Sequence, residues 1–141
     1  MVSEIVEGRL YLGDRIDGDH ADEHGQDYDR IITVGGGCHD NTTDCLQMQD
    51  DYGVRYATFR EAASRLQSAL CNGEVVLIHC AVGSSRAPSV AAAAMATLDG
   101  TSFDEAVEEI REKRGATRSG NLVNPHPALR GAGEQYIEEQ S

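Results

Sequence analysis

The residues best suited to chemistry stand together at positions 79–86, in the run His-Cys-Ala-Val-Gly-Ser-Ser-Arg. A continuous apolar stretch, Val75–Ile78, precedes this run, and an alanine-rich stretch follows it. The order predicts a buried strand, a loop of small residues and the first turn of a helix. Backbone N–H groups in such a loop, together with the helix dipole, bind an oxyanion such as phosphate.

Two side chains at the ends of the loop add to this chemistry. Cys80 would lie at the floor of the loop, where positive potential favours the thiolate, the nucleophilic form of the side chain. Arg86 offers a planar fork of N–H donors that fits two phosphoryl oxygens and stays charged at any working pH. The alternative, that Cys80 is an inert core thiol, leaves the glycine, the two serines and the arginine that follow it unexplained.

Cys80 and Arg86 match the Cys-x5-Arg signature of the cysteine-dependent protein tyrosine phosphatases, and the fuller His-Cys-x-x-Gly-x-Ser-Arg form resembles the dual-specificity branch. Segments 7–13, 28–34 and 105–114 resemble other parts of that branch, in the usual order. The resemblance implies that Cys80 is the catalytic nucleophile, that Arg86 binds phosphate, and that no metal or cofactor is needed. It further implies a phosphate-binding loop made of Ala81, Val82, Gly83, Ser84 and Ser85, together with Arg86.

A general acid is also required, because the leaving oxygen needs a proton. Members of the family take an aspartate from a loop upstream of the cysteine, and the resemblance implies Asp50 here. This residue lies 30 positions before Cys80 and continues the alternation of Leu46 and Met48. Asp51 is the adjacent alternative, and a solvated loop carboxylate is the alternative for either residue.

The implied function is hydrolysis of phosphotyrosine, and of phosphoserine and phosphothreonine, in proteins through a phosphocysteine intermediate. One departure from the family is Ala87, which stands where a serine or threonine usually helps to break down that intermediate. Ala87 motivates one alternative, a phosphoprotein-binding protein with slow turnover. A second alternative is a phosphatase for a non-protein phosphate ester. Residues 81–85 carry no basic side chain, which argues against a phosphoinositide or an RNA triphosphate as substrate.

The elements that must position these residues alternate between strand and helix. The apolar patterns predict strands at Leu10–Leu12, Arg30–Val34, Asp44–Gln49 and Glu74–His79. Helical patterns are weak at Asp19–Gln26 and clear at Tyr56–Cys71, Arg86–Leu98, Ser102–Arg114 and Pro127–Glu138. We expect an α/β fold in which residues 1–141 form a single domain, with a central, largely parallel sheet flanked by helices.

The 141 residues carry a formal net charge of −12, and Lys113 is the one lysine. Such a charge excludes broad binding to nucleic acid or to acidic membranes, which need an electropositive face. It favours a surface adapted to high salt, as in a halophilic organism. No stretch approaches the ~20 apolar residues of a membrane span, and residues 1–5 lack a secretory signal pattern. We therefore expect a cytoplasmic monomer whose partners are phosphorylated proteins.

Four cysteines could pair, but all are expected to be reduced in that compartment: Cys38, Cys45, Cys71 and Cys80. A metal site is not expected, because Cys38, His39 and Cys45 lack the short Cys-x-x-Cys spacing of a zinc site. Gly35–Gly37 lacks the spacing of a nucleotide-binding loop and is interpreted as a flexible turn.

Several further side chains are assigned structural roles. His79 is expected to orient the loop by hydrogen bonding, and His39 carries no functional signal. Arg111, Arg114 and Arg118 could bind a second anionic group, but in so acidic a chain we expect them to pair with carboxylates at the surface.

Overall fold

In a computed structural model, which describes residues 2–141, five strands form one sheet. The strands are β1 (Ser3–Val6), β2 (Leu10–Gly13), β3 (Arg30–Thr33), β4 (Asp44–Cys45) and β5 (Val76–His79). Their spatial order is β1-β2-β5-β3-β4, in which β1 is antiparallel to β2 and each remaining pair is parallel. The expectation of an α/β fold with a largely parallel central sheet is confirmed.

The helices are α1 (Arg15–Asp19), α2 (Tyr56–Cys71), α3 (Arg86–Asp99), α4 (Phe103–Arg114) and α5 (Pro127–Gln140). Helix α3 is buried from Ala87 to Ala96, because its small side chains let α2, α4 and α5 pack closely around it. Within residues 2–141, no helix combines the length and the apolar character that crossing a bilayer would need.

The two faces of the sheet are covered unequally. Ile32 and Ile78 belong to the main core, which lies between the sheet and helices α2–α5. Because side chains alternate along a strand, the neighbouring Ile31 and Leu77 point to the opposite face, where a small cluster with Ala21 covers them. The strand that ends at the predicted loop is therefore buried on both faces.

Local signals explain where most helices begin and end. Ser102 accepts a hydrogen bond from the Glu105 N–H and Glu105 returns one to the Ser102 N–H, which forms the predicted capping box of α4. The helix predicted at Asp19–Gln26 is wrong. Asp14 and Asp17 form a capping box that starts α1 four residues earlier, and only a short 3₁₀ turn, Ala21–Glu23, follows it.

Two strands also differ from expectation. The strand predicted at Asp44–Gln49 contains only Asp44–Cys45. Beyond it, the Leu46 and Met48 N–H groups still donate to the Thr33 and Val34 carbonyl oxygens. The edge strand β1 was not predicted from the sequence, since its four residues show little alternation between apolar and polar side chains.

Cys38 and Cys45 form a disulfide, so the expectation that both are reduced thiols is wrong for this pair. The physical reason is topological: residues 34–43 connect two adjacent parallel strands, and the connection brings the two Cα atoms to 5.9 Å. The free cysteines are Cys71, which is exposed, and Cys80, which is buried.

Candidate active site

Residues 80–85 form the loop between β5 and α3, at the carboxyl end of the central strand. Strand β5 is fully buried and pairs with β2 and β3 on its two sides, so the start of the loop is fixed by the sheet. Gly83 turns the loop with a φ angle of 79°, which lies in the left-handed region that favours glycine. A Cβ atom at Gly83 would also lie 2.9 Å from the Gly13 carbonyl oxygen.

The thiol of Cys80 lies under this loop and is 2% exposed. Its Sγ atom accepts hydrogen bonds from two backbone N–H groups, those of Gly83 at 3.2 Å and Ala87 at 3.4 Å. Ala87 belongs to the first turn of α3, whose partial positive charge adds to the effect of the two N–H groups. This environment stabilises negative charge on sulfur, as a nucleophilic cysteine requires.

Arg86 is the first residue of α3. Its Nη1 atom donates to the Met48 carbonyl oxygen at 3.1 Å. On another side lies Gly35, where a Cβ atom would be 2.5 Å from Arg86 Cζ. The guanidinium is thus held between two backbone segments at the edge of the loop, close to the segment that carries Asp50.

The two candidate acids have different surroundings. Asp50 Oδ1 accepts a hydrogen bond from Ser85 Oγ at 2.6 Å, which links it directly to the loop. Asp51 Oδ1 instead accepts the Gly53 N–H at 2.7 Å and closes its own turn. The hydrogen bond to Ser85 therefore places Asp50 at the loop, whereas Asp51 closes a local turn. The choice of Asp50 as the general acid stays a prediction.

His79 is fully buried and lies directly before the cysteine. Its Nε2 atom is 2.8 Å from Thr33 Oγ1 and 3.0 Å from His39 Nε2, so it connects the end of β5 to β3 and to the turn beyond it. Burial, with a smaller contribution from nearby His39, lowers the pKa of His79 from its usual 6.5 to about 4. A neutral imidazole in this position supports the end of β5 by hydrogen bonding to Thr33 and His39. That His79 also orients the loop stays a prediction.

The three arginines considered for a second anion site have separate roles. Arg114 is buried and donates to the Gly83 carbonyl oxygen at 2.8 Å and to the Leu12 carbonyl oxygen at 3.1 Å, which supports the loop from behind. Arg118 pairs with Asp14 and Asp17, and Arg111 pairs with Glu108. Pairing is as expected for Arg111 and Arg118, whereas the surface position expected for Arg114 is wrong.

Sequence reasoning missed two supporting elements. Gly35–Gly37, interpreted as a flexible turn, packs against the loop: Gly35 meets Arg86, and a Cβ atom on Gly36 would be 2.9 Å from Ala81 Cα. His39, which carried no signal, contacts His79. Three consecutive glycines after a buried strand were a signal of close backbone approach, but the partner lies 45 or more residues away in the sequence.

An open groove of about 940 Å³ extends from the loop along the protein surface. Asp50, Ser84 and Ser85 line it at the loop, and residues 120–127, Arg111 and Arg130 line the remainder. Leu122 is 57% exposed there.

Comparison with known proteins gives one family. Residues 27–124 match the model of the dual specificity phosphatase catalytic domain. Dual specificity protein phosphatase 15 of Mus musculus is 28% identical over an alignment of 148 positions. The alignment covers 98% of this chain and 57% of the mouse protein. The chain therefore spans little more than half the length of that relative.

Solved structures share the fold. The crystal structure of human DUSP28 has a TM-score of 0.79 at 16% identity, covering 98% of this chain and 93% of that chain. The crystal structure of PTPMT1 has a TM-score of 0.73 at 19% identity, covering 99% and 96%.

Proposed function

The chain belongs to the dual specificity phosphatase catalytic domain family, and we propose that it hydrolyses phosphotyrosine, and phosphoserine or phosphothreonine, in proteins. The observation that carries this proposal is the pair of backbone N–H groups that point at the sulfur of Cys80. A sulfur stabilised as an anion, next to a loop that can bind phosphate and an arginine at its edge, is suited to attack a phosphomonoester. The nucleophile is Cys80, the phosphate-binding residues are 81–86, and the general acid is Asp50.

In the first step the Cys80 thiolate attacks phosphorus in line with the leaving oxygen. The S–P bond forms, the P–O bond to the substrate breaks, and Asp50 gives its proton to the departing oxygen. Backbone N–H groups of the loop and the Arg86 guanidinium stabilise the charge on the three equatorial oxygens. The products of this step are a phosphocysteine and the dephosphorylated hydroxyl group.

In the second step a water molecule attacks the phosphocysteine. Asp50, now a carboxylate, takes a proton from the water as the new P–O bond forms and the S–P bond breaks. The sulfur leaves as a thiolate, and inorganic phosphate is released. Both steps use one set of donors, and Asp50 returns to its protonated form at the end of the cycle.

Phosphoproteins are supported as the substrate class by the surroundings of the loop. Residues 81–85 provide no basic side chain for a second phosphate group, and an open groove of about 940 Å³ adjoins the loop. A non-protein phosphate ester is the alternative substrate, since a PTPMT1 crystal structure of the same fold is described in complex with PI(5)P.

Phosphate release from four substrates tests the proposal: a phosphotyrosyl peptide, a phosphoseryl peptide, PI(5)P and an RNA 5′-triphosphate. We expect the phosphotyrosyl peptide to be hydrolysed fastest, and Cys80→Ser to lower that rate by at least about a thousandfold. Cys71→Ser is the matched control, because Cys71 is the other free thiol and is exposed on α2. Undiminished activity in Cys80→Ser would overturn the mechanism, and preference for PI(5)P or RNA would overturn the substrate class.

Ala87 supports a second candidate function, the capture of phosphoproteins with slow turnover. Among residues 2–141, the only donors to Cys80 Sγ are backbone N–H groups, and no serine hydroxyl bonds to it. Without such a hydroxyl, only the two backbone N–H groups assist departure of the sulfur in the second step. A burst of phenol release followed by a slow steady state would support this function, and a linear time course would exclude it.

A monomer in a cytoplasmic, high-salt setting remains a prediction. The Cys38–Cys45 disulfide bears on this setting, because disulfides are rare in reducing compartments outside hyperthermophiles. Trapping of free thiols in freshly lysed cells, followed by mass spectrometry of this cysteine pair, measures the redox state that the protein has in its own compartment.

A further inference from the structure

The hydroxyl group of Ser85 makes two hydrogen bonds to distant parts of the chain. Ser85 Oγ donates to Asp50 Oδ1 at 2.6 Å and accepts the backbone N–H of His126 at 2.8 Å. Ser85 itself is 6% exposed, whereas Asp50 is exposed, so the bond between them lies at the edge of the buried region. Ser85 therefore connects the segment that carries the general acid to the start of α5.

This use of the hydroxyl is unusual for the position that Ser85 occupies. Ser85 is the N-cap residue of α3, where a serine hydroxyl commonly accepts a hydrogen bond from the first turn of its own helix. Ser85 makes no such capping bond in the described chain. A cap of this kind stabilises a helix, so the bond to Asp50 is formed in place of a stabilising local interaction.

The direction of the bond follows from the number of protons available. A serine hydroxyl has one proton, and the His126 N–H already donates to its oxygen. In the structure that proton points to Asp50 Oδ1, which acts as the acceptor. While this direction is kept, the proton that Asp50 will transfer lies on Oδ2.

The segment beyond Asp50 is held in the same place by a second contact. The ring of Tyr52 packs edge-on against the ring of His126, with the ring centres 4.8 Å apart. His126 in turn caps α5, because its Nδ1 atom accepts the Ala128 N–H at 3.0 Å. Residues 50–52 thus contact His126 both through Tyr52 and through Ser85, which limits how far Asp50 can move from the loop.

We propose that Ser85 is a positioning residue for the general acid: its hydroxyl binds Asp50 Oδ1, and this directs protonated Oδ2 at the leaving oxygen. The proposal rests on the phosphatase function above. It differs from a role in phosphate binding, which uses the backbone N–H of the loop and not the serine hydroxyl. It also differs from a role in stabilising the Cys80 thiolate, because the hydroxyl proton is directed at Asp50.

The test is the dependence of kcat/KM on the leaving group. Poor leaving groups need the proton from Asp50, whereas p-nitrophenol leaves readily without it. For Ser85→Ala we expect kcat/KM to fall by less than about threefold with p-nitrophenyl phosphate and by about tenfold or more with phenyl phosphate or an alkyl phosphate. Ser85→Thr keeps the hydroxyl, so its kcat/KM with poor leaving groups is expected to be close to that of the parent chain. Ser85→Gly, which helix N-caps tolerate, repeats the test without relying on the alanine variant.

Two further measurements separate this role from a structural one. Ser89→Ala, a control that removes a buried hydroxyl one turn along α3, should lower kcat/KM equally for all leaving groups or leave it unchanged. In an Asp50→Ala background, Ser85→Ala should have no further leaving-group effect, because the group it positions is absent. The proposal is overturned if Ser85→Ala lowers kcat/KM equally for all leaving groups. It is also overturned if Ser85→Ala has its full leaving-group effect in the Asp50→Ala background. An inactive parent chain, or a fully active Cys80→Ser variant, would instead overturn the phosphatase function itself.

Discussion

Gly35 lies against the guanidinium group of Arg86, so closely that a Cβ atom on Gly35 would be 2.5 Å from Arg86 Cζ. The backbone of Gly35 does not have a positive φ angle, so alanine is acceptable to the main chain and the obstacle is the arginine. Gly35 and Arg86, which are far apart in the sequence, are therefore closely packed at the edge of the loop.

Gly35→Ala is expected to displace the guanidinium and lower kcat/KM by about tenfold to a hundredfold, because small displacements of a phosphate-binding group are costly. Steady-state kinetics with p-nitrophenyl phosphate measures the effect. Gly131→Ala is the matched control, since a Cβ atom there meets nothing within 4 Å. It lies in α5, where alanine stabilises a helix by up to about 1 kcal/mol, and it should leave kcat/KM unchanged. Equal kinetics in the two variants would contradict the prediction.

Ala87→Ser should accelerate breakdown of the phosphocysteine. The Ala87 N–H already lies 3.4 Å from Cys80 Sγ, so a hydroxyl on the same residue can donate to the departing sulfur. One hydrogen bond to a charged group corresponds to about a tenfold gain in the steady-state rate. In rapid mixing with p-nitrophenyl phosphate, the amplitude of the initial burst of p-nitrophenol should be smaller than in the parent chain. Ala91→Ser places a hydroxyl one turn farther along α3 and controls for altered packing; a similar gain there would contradict the explanation.

His79 makes stability depend on pH. Burial lowers its pKa to about 4 in the folded chain, against about 6.5 when unfolded, so between these values the unfolded chain binds a proton that the folded chain does not. As pH falls from about 6.5 to about 4, the folded state should lose on the order of 3 kcal/mol through this residue. Urea unfolding of the parent chain and of His79→Gln at several pH values isolates the effect from that of the carboxylates. Parallel stability curves for the two would show that His79 contributes nothing.

The Cys38–Cys45 disulfide should contribute about 2 kcal/mol to the free energy of unfolding, as expected for a short closed loop. Replacing both residues by serine, or reducing the bond, should shift the denaturation midpoint to a lower urea concentration. Cys71→Ser, at an exposed position outside the disulfide, should leave the midpoint unchanged. A midpoint insensitive to reductant would contradict the prediction.

Added salt should raise activity on acidic phosphopeptides. The net charge of −12 repels such substrates at low ionic strength, and salt screens this repulsion. We expect KM to fall severalfold between 0.1 M and 2 M KCl, with a smaller change for a phosphopeptide that carries no acidic residues beside the phosphorylated one. A KM that rises with salt for both peptides would show that attraction to local arginines dominates.

The parts of the site that the sequence predicted are those built from neighbouring residues. The strand that ends at His79, the loop with Gly83 and the helix that begins at Arg86 follow one another along the chain, so apolar pattern and turn chemistry are sufficient to place them. The capping box of Ser102 and Glu105 belongs to the same class of local signal.

The parts that sequence reasoning missed depend on contacts between distant segments. Gly35 beside Arg86, His39 beside His79, and Ser85 beside Asp50 are each separated by 35 or more positions. Arg114 was placed at the surface because charged residues usually lie there, whereas the backbone carbonyl groups behind the loop provide its partners. Only the packing of α4 against β1 and the loop determines that position.

The disulfide also determines how many free thiols can be titrated in each molecule of this protein. With Cys38 and Cys45 joined, Cys71 and Cys80 are the two sulfhydryl groups that an alkylating agent can modify. In a Cys71→Ser background, each correctly folded molecule then has a single reactive sulfur, located under the loop. Titration of the Cys71→Ser variant with an alkylating agent that mimics phosphate would give the fraction of molecules whose Cys80 is reactive. This measurement does not depend on which phosphorylated substrate the protein acts on.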